Sequence, residues 1–266
     1  MGSDARIYIF DHNKYTTEVI PALKSFLLTG YLNPWLSELK HKIDKVWYVP
    51  EYLCSSSLDI DKYCDYLEAD FSARNQYSLF SGIDWELRSC KSPSCLLRDF
   101  CIFHTSSRRD NVEYFNCLIC GAILEKTLGR SQFVGRSQRA SWYQEDLHFN
   151  NLRLIELLSA LAYRGNVIGY LWKNSDGIYG WLSPSETCQL YQELSKIDLP
   201  LLDRSFDAME EALREFRSER NPEPSRLNFC KLSLSFVRTV AQIAYEQDCG
   251  ILWGNDLPHY FIDENA

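Results

Sequence analysis

Apolar residues recur every three or four positions through much of the second half of the chain, a spacing that is typical of amphipathic helices. This spacing predicts one continuous helix over residues 143–164 and a longer one over 226–248. Between these two helices, two aromatic and β-branched runs flank the polar residues 173–177, which predicts a β-hairpin over 166–182. A short apolar run that starts at Gly250 predicts one further strand.

Polar residues indicate where several helices of the second half begin. Ser183 and Glu186 form a capping-box pattern, so a helix is expected to start at the proline between them. Ser205 is placed to cap another helix over 206–219. Residues 141–266 are therefore predicted to form a mainly helical lobe that contains one hairpin.

The first half mixes strands and helices. Residues 6–11 are aromatic and β-branched, which predicts an opening strand. Residues 13–30 follow with helical spacing, but Pro21 should kink or divide that helix. The Asn-Pro pair at 33–34 is a typical helix start. The pattern predicts an α+β protein of two lobes, in which residues 1–140 form the strand-and-helix lobe.

Residues 70–110 show no sustained period, and long structureless segments are uncommon in compact domains. The same part of the chain is rich in cysteine, since five of the ten cysteines lie in the segment 90–121. A bound metal would supply the local cross-linking that such a segment needs. Buried structural thiols and a redox pair are the alternatives for this cluster.

Two pairs within this segment have the spacing of zinc-knuckle ligands. The pairs are Cys101 with His104 and Cys117 with Cys120. Three thiolates and one imidazole form the closed tetrahedral set of a structural zinc site, which contributes to folding rather than to catalysis. The ligand set stays open, because Cys90 or Cys95 could replace Cys101 or His104.

Two pairs of titratable residues are candidate catalytic groups. Asp11 and His12 follow the first predicted strand, a favourable place for active-site residues, although they could equally cap the next helix. Glu145 and His148 are three positions apart in the predicted helix 143–164, which would place them on one face. A solvated helix face is the alternative for the second pair.

Arg130, Arg136 and Arg139 lie in a stretch that lacks acidic residues and in which Gly-Arg-Ser-Gln occurs twice. Guanidinium groups and glycine-rich backbone can bind an anionic ligand. The alternative is a mobile, solvated connector between the lobes.

The formal net charge of −8 disfavours nonspecific binding to a nucleic-acid backbone. The sequence has neither an apolar run long enough for a membrane helix nor a signal-peptide pattern, so we expect a cytoplasmic protein without a membrane partner. Phosphate-binding, dinucleotide-binding, serine-hydrolase and zinc-protease motifs are also absent from the sequence, which excludes those enzyme classes in their usual form.

The chain around residues 178–254 reads GWLSPSETCQLYQELSKIDLP and, after a helical stretch, FVRTVAQIAYEQDCGILWGND, which ends at Asp256. This part of the chain resembles the C-terminal part of the YfbM-like group of small bacterial α+β proteins. The resemblance implies a bacterial origin and a binding or immunity-type role. No functional residue carries over with it.

These observations predict a zinc-stabilised cytoplasmic protein that binds a partner protein, since tyrosine and tryptophan are abundant and favour interfaces. One alternative is an enzyme with its site between the lobes, in which the arginines would hold an anionic substrate beside the four candidate catalytic residues. A nucleic-acid-binding protein is the further alternative.

Overall fold

The computed structural model describes residues 4–22, 25, 31–46, 83–84, 89–90, 121–148, 150–164, 177–218 and 226–257. The described residues fall into two compact units. The first unit draws on residues 1–12, 127–166 and 173–266, and the second on 13–126 and 167–172. The boundary predicted near residue 140 falls within the first unit, and the division into residues 1–140 and 141–266 stays a prediction.

The described strands are β1 (Asp4–Phe10), β2 (Ile83–Asp84), β3 (Ser89–Cys90), β4 (Leu128–Arg136), β5 (Gly177–Leu182) and β6 (Gly250–Asn255). The described helices are α1 (His12–Lys14), α2 (Pro34–Val46), α3 (Trp142–Leu147), α4 (Leu152–Tyr163), α5 (Pro184–Leu194), α6 (Phe206–Ser218) and α7 (Arg226–Glu246). Residues 121–127 are also helical. The mixture of helices with an antiparallel sheet confirms the α+β class.

A four-stranded antiparallel sheet in the order β4-β1-β6-β5 forms the centre of the first unit. Ile7 of β1 lies opposite Gln132 on one side and Trp253 on the other. Every residue of β5 and β6 is buried, so both faces of the sheet are covered there. Helix α7 packs against β1, β4 and β6, while α4 packs against β5. The predicted opening and final strands are both confirmed.

Three predicted helix starts are confirmed by their capping contacts. Ser183 Oγ accepts a hydrogen bond from the Glu186 backbone, and the Glu186 carboxylate accepts one from the Ser183 backbone, which completes the capping box. Ser205 Oγ accepts from the Ala208 backbone at 3.0 Å. Asn33 Oδ1 accepts from the Leu36 backbone at 3.0 Å. These starts depend on neighbouring residues only, which explains why the local sequence predicts them.

The single helix predicted over 143–164 is wrong. Two helices, α3 and α4, occupy this stretch, because His148 takes a left-handed backbone conformation with φ of 51° and ends α3. Asn151 then caps α4 by accepting a hydrogen bond from the Leu154 backbone at 3.1 Å. Glu145 and His148 therefore do not share a face of one continuous helix.

The connector proposed for the Gly-Arg-Ser-Gln repeat is also wrong. Residues 128–136 form β4, which pairs with β1 at one edge of the sheet. The register shifts between Ala5 and Arg6, so Val134 forms a bulge, and its carbonyl oxygen accepts a hydrogen bond from Ser233 Oγ. Residues 128–136 are therefore part of the sheet of the first unit.

Other predictions fall partly outside the described residues. Strand β5 is the described part of the hairpin predicted over 166–182, and residues 165–176 lie outside the description. Most of the segment 90–121 lies outside it as well. Among the helices that the structure describes, none is long and apolar enough to cross a membrane.

Candidate functional site

The zinc ligands that the sequence predicts lie outside the residues that the structure describes. Cys95, Cys101, His104, Cys117 and Cys120 lie outside the described residues, and only the backbone of Cys90 is described, in β3. Within the described part of the chain, no three His, Cys, Asp or Glu side chains are grouped so that they could hold a metal ion. The zinc site in the segment 90–121 stays a prediction.

Asp11 and His12 lie directly after β1, and both are half-buried. The Asp11 backbone N–H donates a hydrogen bond to the Thr127 carbonyl oxygen at 2.8 Å. The His12 ring meets Phe10 edge-on, with 5.9 Å between the ring centroids. These contacts hold the pair at the end of β1 where Phe10 lies opposite Gly250.

Glu145 and His148 are both exposed, the first on α3 and the second where α3 ends. Helix α3 is anchored by Tyr143, whose ring meets that of Trp253 with 6.1 Å between centroids. Trp253 lies opposite Ile7, which is three residues, or about 10 Å, along β1 from Phe10. The contacts that position His12 and helix α3 therefore lie at different places along β1.

The three arginines have different neighbours. Arg130 forms an ion pair with Asp207 at 3.1 Å, and Arg136 forms one with Asp4 at 3.7 Å. The Arg139 guanidinium lies 5.3 Å from the centroid of the Tyr179 ring. Arg130 and Arg136 are also about 20 Å apart along an extended strand. The structure does not gather these guanidinium groups around one anion.

The described residues of the second unit form a groove. It encloses about 370 Å³. Its lining residues come from the helical segment after β1 and from the start of α2. They are Thr17, Glu18, Pro21, Ala22, Ser25, Tyr31, Asn33 and Trp35. This volume is near the lower end of the range for ligand sites, which suits a few side chains better than a large ligand.

The first wall of the groove contains a π-helical turn, Tyr15–Val19. The turn precedes Pro21, whose ring would collide with the carbonyl oxygen four residues earlier in a regular α-helix. The sequence predicts that Pro21 interrupts the regular helix, and the structure has a π-helical turn just before this proline. Tyr15 and Val19 are buried on its inner side, whereas Thr17 and Glu18 are exposed along the groove.

The second wall is the start of α2. The Asn33 cap fixes the first turn of this helix, and Leu36 and Leu39 are fully buried beneath it. Trp35 is half-buried, and 63% of the Tyr31 side chain is exposed. The helix start thus presents two aromatic rings to the groove while its buried leucines hold the wall in place.

Cationic and anionic groups lie close to this wall. Lys126 Nζ lies 5.0 Å from the centroid of the Trp35 ring, which is within the range of a cation–π contact. Lys42 Nζ lies 3.0 Å from a carboxylate oxygen of Glu125. Trp35 of this wall therefore already contacts a cationic side chain, that of Lys126.

Sequence reasoning missed the groove, because its two walls are separated along the chain and only the fold brings them together. Two signals could have indicated it. Pro21 interrupts a helical stretch, and Tyr31 and Trp35 flank the Asn-Pro helix start where exposed aromatic residues are unusual. Neither signal shows that the two segments face each other.

Comparison of the chain with protein-family models, curated proteins and solved structures finds no match. The resemblance of residues 178–254 to the YfbM-like group stays a prediction.

Proposed function

We propose that the protein binds a partner protein through the groove of the second unit. The observation that carries this proposal is the Tyr31 side chain, 63% exposed beside a concave surface that Trp35 also lines. Aromatic rings next to a pocket are typical anchors of protein interfaces, because they bury a large area at a small cost in conformational entropy. The groove suits one short segment of a partner.

The groove supports a binding role better than the candidate catalytic residues support an enzyme. Asp11 and His12 contact the Phe10 end of β1, while α3, which carries Glu145, is anchored on Trp253. Acid–base catalysis requires each group to lie within hydrogen-bonding reach of the substrate proton that it transfers, and no described contact places the two pairs around one cavity. A binding role needs only the rings and the concave surface.

Photo-crosslinking tests the binding role directly. A benzoyl-phenylalanine at position 31 should form discrete crosslinked products with a partner in living cells. The matched control is the same residue at position 245, since Tyr245 is also exposed, at 46%, but lies on α7 in the first unit. Identical products at both positions, or none at position 31, would contradict the proposal.

We also propose that zinc organises the segment 90–121 of this interaction protein. The support is the donor set itself, because two pairs spaced by two residues provide the thiolates and imidazole that zinc prefers. When bound, the metal would add folding free energy to a segment without a regular hydrophobic period. It would not take part in chemistry.

Elemental analysis of the purified protein tests the zinc proposal. We expect about one zinc ion per chain, and its loss together with lower solubility when Cys117→Ser and Cys120→Ser are combined. Cys188→Ser with Cys249→Ser is the matched control, since both cysteines are half-buried in the first unit. A metal-free native protein, or equal metal in both double variants, would show that the cluster is not a zinc site.

A further inference from the structure

We propose that the groove binds a basic side chain, arginine or lysine, in the partner segment. This inference rests on the proposed function and names the chemistry that the groove selects. It is carried by one carboxylate and two aromatic rings that line the same concave surface, Glu18, Tyr31 and Trp35.

Charge favours a cation. Glu18 is exposed along the groove and is the one charged residue among the lining residues that the structure describes. The whole chain also carries a formal net charge of −8. A carboxylate at the groove attracts a partner cation and repels a partner carboxylate, so the contact gives selectivity as well as affinity.

The aromatic rings favour a cation as well. The chain already places Lys126 Nζ 5.0 Å from the Trp35 ring centroid, so this ring accepts an ammonium group in the unbound protein. Tyr31 adds a second, largely exposed ring. An arginine guanidinium stacks on such rings and forms an ion pair with a carboxylate at the same time.

Lys126 therefore competes with the partner. A guanidinium that approaches Trp35 meets the positive charge of Lys126 and has to displace it or lie beside it. Removing that ammonium group should strengthen binding of a basic segment, whereas removing the Glu18 charge should weaken it. Opposite effects of two nearby substitutions are not expected if these residues only support the fold.

Defined peptides test the inference. The probes are fluorescein-labelled peptides Gly-Leu-X-Leu-Gly in which X is arginine or citrulline, an uncharged residue of the same shape, and fluorescence anisotropy measures their affinities. We expect the arginine peptide to bind about fivefold more tightly than the citrulline peptide, from one exposed ion pair and one cation–π contact. Glu18→Gln should remove this preference, and Lys126→Met should raise affinity for the arginine peptide about twofold.

Glu38→Gln provides the matched control, since Glu38 is exposed on α2 and does not line the groove. Equal affinity for both peptides, no binding of either peptide, or equal weakening by Glu18→Gln and Glu38→Gln would overturn the inference. Discrete crosslinks at position 31 without an arginine preference would overturn this inference alone. Failure of the crosslinking experiment would instead overturn the proposed binding role.

Discussion

Strands β5 and β6 of the first unit and the groove of the second unit use aromatic residues in opposite ways. Trp181 and Trp253 of β5 and β6 are almost completely buried, as is every residue of these two strands. At the groove, most of Tyr31 is exposed and Trp35 is only half-buried. The difference separates aromatic rings that are packed in the interior from aromatic rings that solvent reaches.

This comparison has a direct consequence for substitutions. Substitutions beside β5 and β6 should lower the free energy of unfolding. In a tightly packed interior, a buried charge that loses its partner is destabilising, and an added methyl group collides with its neighbours. Changes at the rim of the groove should leave stability nearly unchanged and act on binding instead.

The largest expected effect is at the buried ion pair between Arg164 and Glu186. Both Arg164 Nη atoms donate to the Glu186 carboxylate, at 2.9 and 2.7 Å, and the two side chains are 2% and 5% exposed. Arg164→Met should lower the free energy of unfolding by about 3–5 kcal/mol, because it leaves a buried charge without its partner. Adding Glu186→Gln should recover part of the loss. Urea unfolding measures both effects.

The exposed ion pair between Lys196 and Glu193 is the matched control for that experiment. Its nitrogen–oxygen distance is also 2.7 Å, but 66% of the Lys196 side chain is exposed. Lys196→Met should cost less than about 1 kcal/mol, since water screens an exposed pair. Similar losses for Arg164→Met and Lys196→Met would show that burial does not distinguish the two sites.

A smaller effect is expected at Gly180 in β5. A Cβ atom at this position would lie 2.0 Å from the Ala160 carbonyl oxygen of α4. Gly180→Ala should therefore cost about 2–3 kcal/mol in urea unfolding, because backbone would have to move. Gly129→Ala is the control, since its Cβ would meet Ile9 at an ordinary 3.5 Å. Equal losses in the free energy of unfolding for the two substitutions would show that α4 does not approach β5 this closely.

The free energy of unfolding should fall by about 1 kcal/mol at alkaline pH through the ionisation of Tyr8. Burial raises the pKa of Tyr8 to about 12, and Asp256 contributes in the same direction. The unfolded chain ionises this phenol near pH 10, so its contribution is complete below that pH and declines as the pH rises from 10 towards 12. Between pH 10 and 11 the free energy of unfolding of the unsubstituted protein should fall by about 1 kcal/mol more than that of Tyr8→Phe. Parallel unfolding profiles would refute this assignment.

The smallest effect on stability is expected at the groove. Tyr31→Ser and Tyr245→Ser should each change the free energy of unfolding by less than about 0.5 kcal/mol, because Tyr31 is 63% exposed and Tyr245 is 46% exposed. Only Tyr31→Ser should reduce crosslinking from a benzoyl-phenylalanine placed at position 17, which also lines the groove. A large loss of stability in Tyr31→Ser would mean that this ring is part of the fold.

The local sequence predicts helix starts well and sheet order poorly. A cap such as Ser183 or Asn33 bonds to a backbone group three residues away, so the pattern and the contact coincide. Strand β4, by contrast, shows weak alternation and is recognisable only by its pairing with β1, more than a hundred residues earlier. Glycines and arginines in this stretch favour the prediction of a mobile connector, but in the fold they belong to an edge strand.

The candidate sites follow the same rule. Helical spacing predicts that Glu145 and His148 share a face, but the left-handed backbone of His148 ends the helix. The groove cannot be predicted from local sequence, because Glu18 and Trp35 line one surface only after the chain has turned back. Spacing along one element can be read from sequence, whereas convergence of two elements requires the tertiary structure.

The place of β6 within the sheet sets an order of events during synthesis. This strand, Gly250–Asn255, lies between β1 and β5, so neither of those strands has that neighbour until residue 255 has left the ribosome. Strand β1 is synthesised before the other three strands of this sheet and waits longest for β6, with one edge of hydrogen-bonding groups exposed to other chains. Closing so long a loop is slow, and a nascent chain of this protein should therefore need protection from aggregation until β6 has emerged from the ribosome.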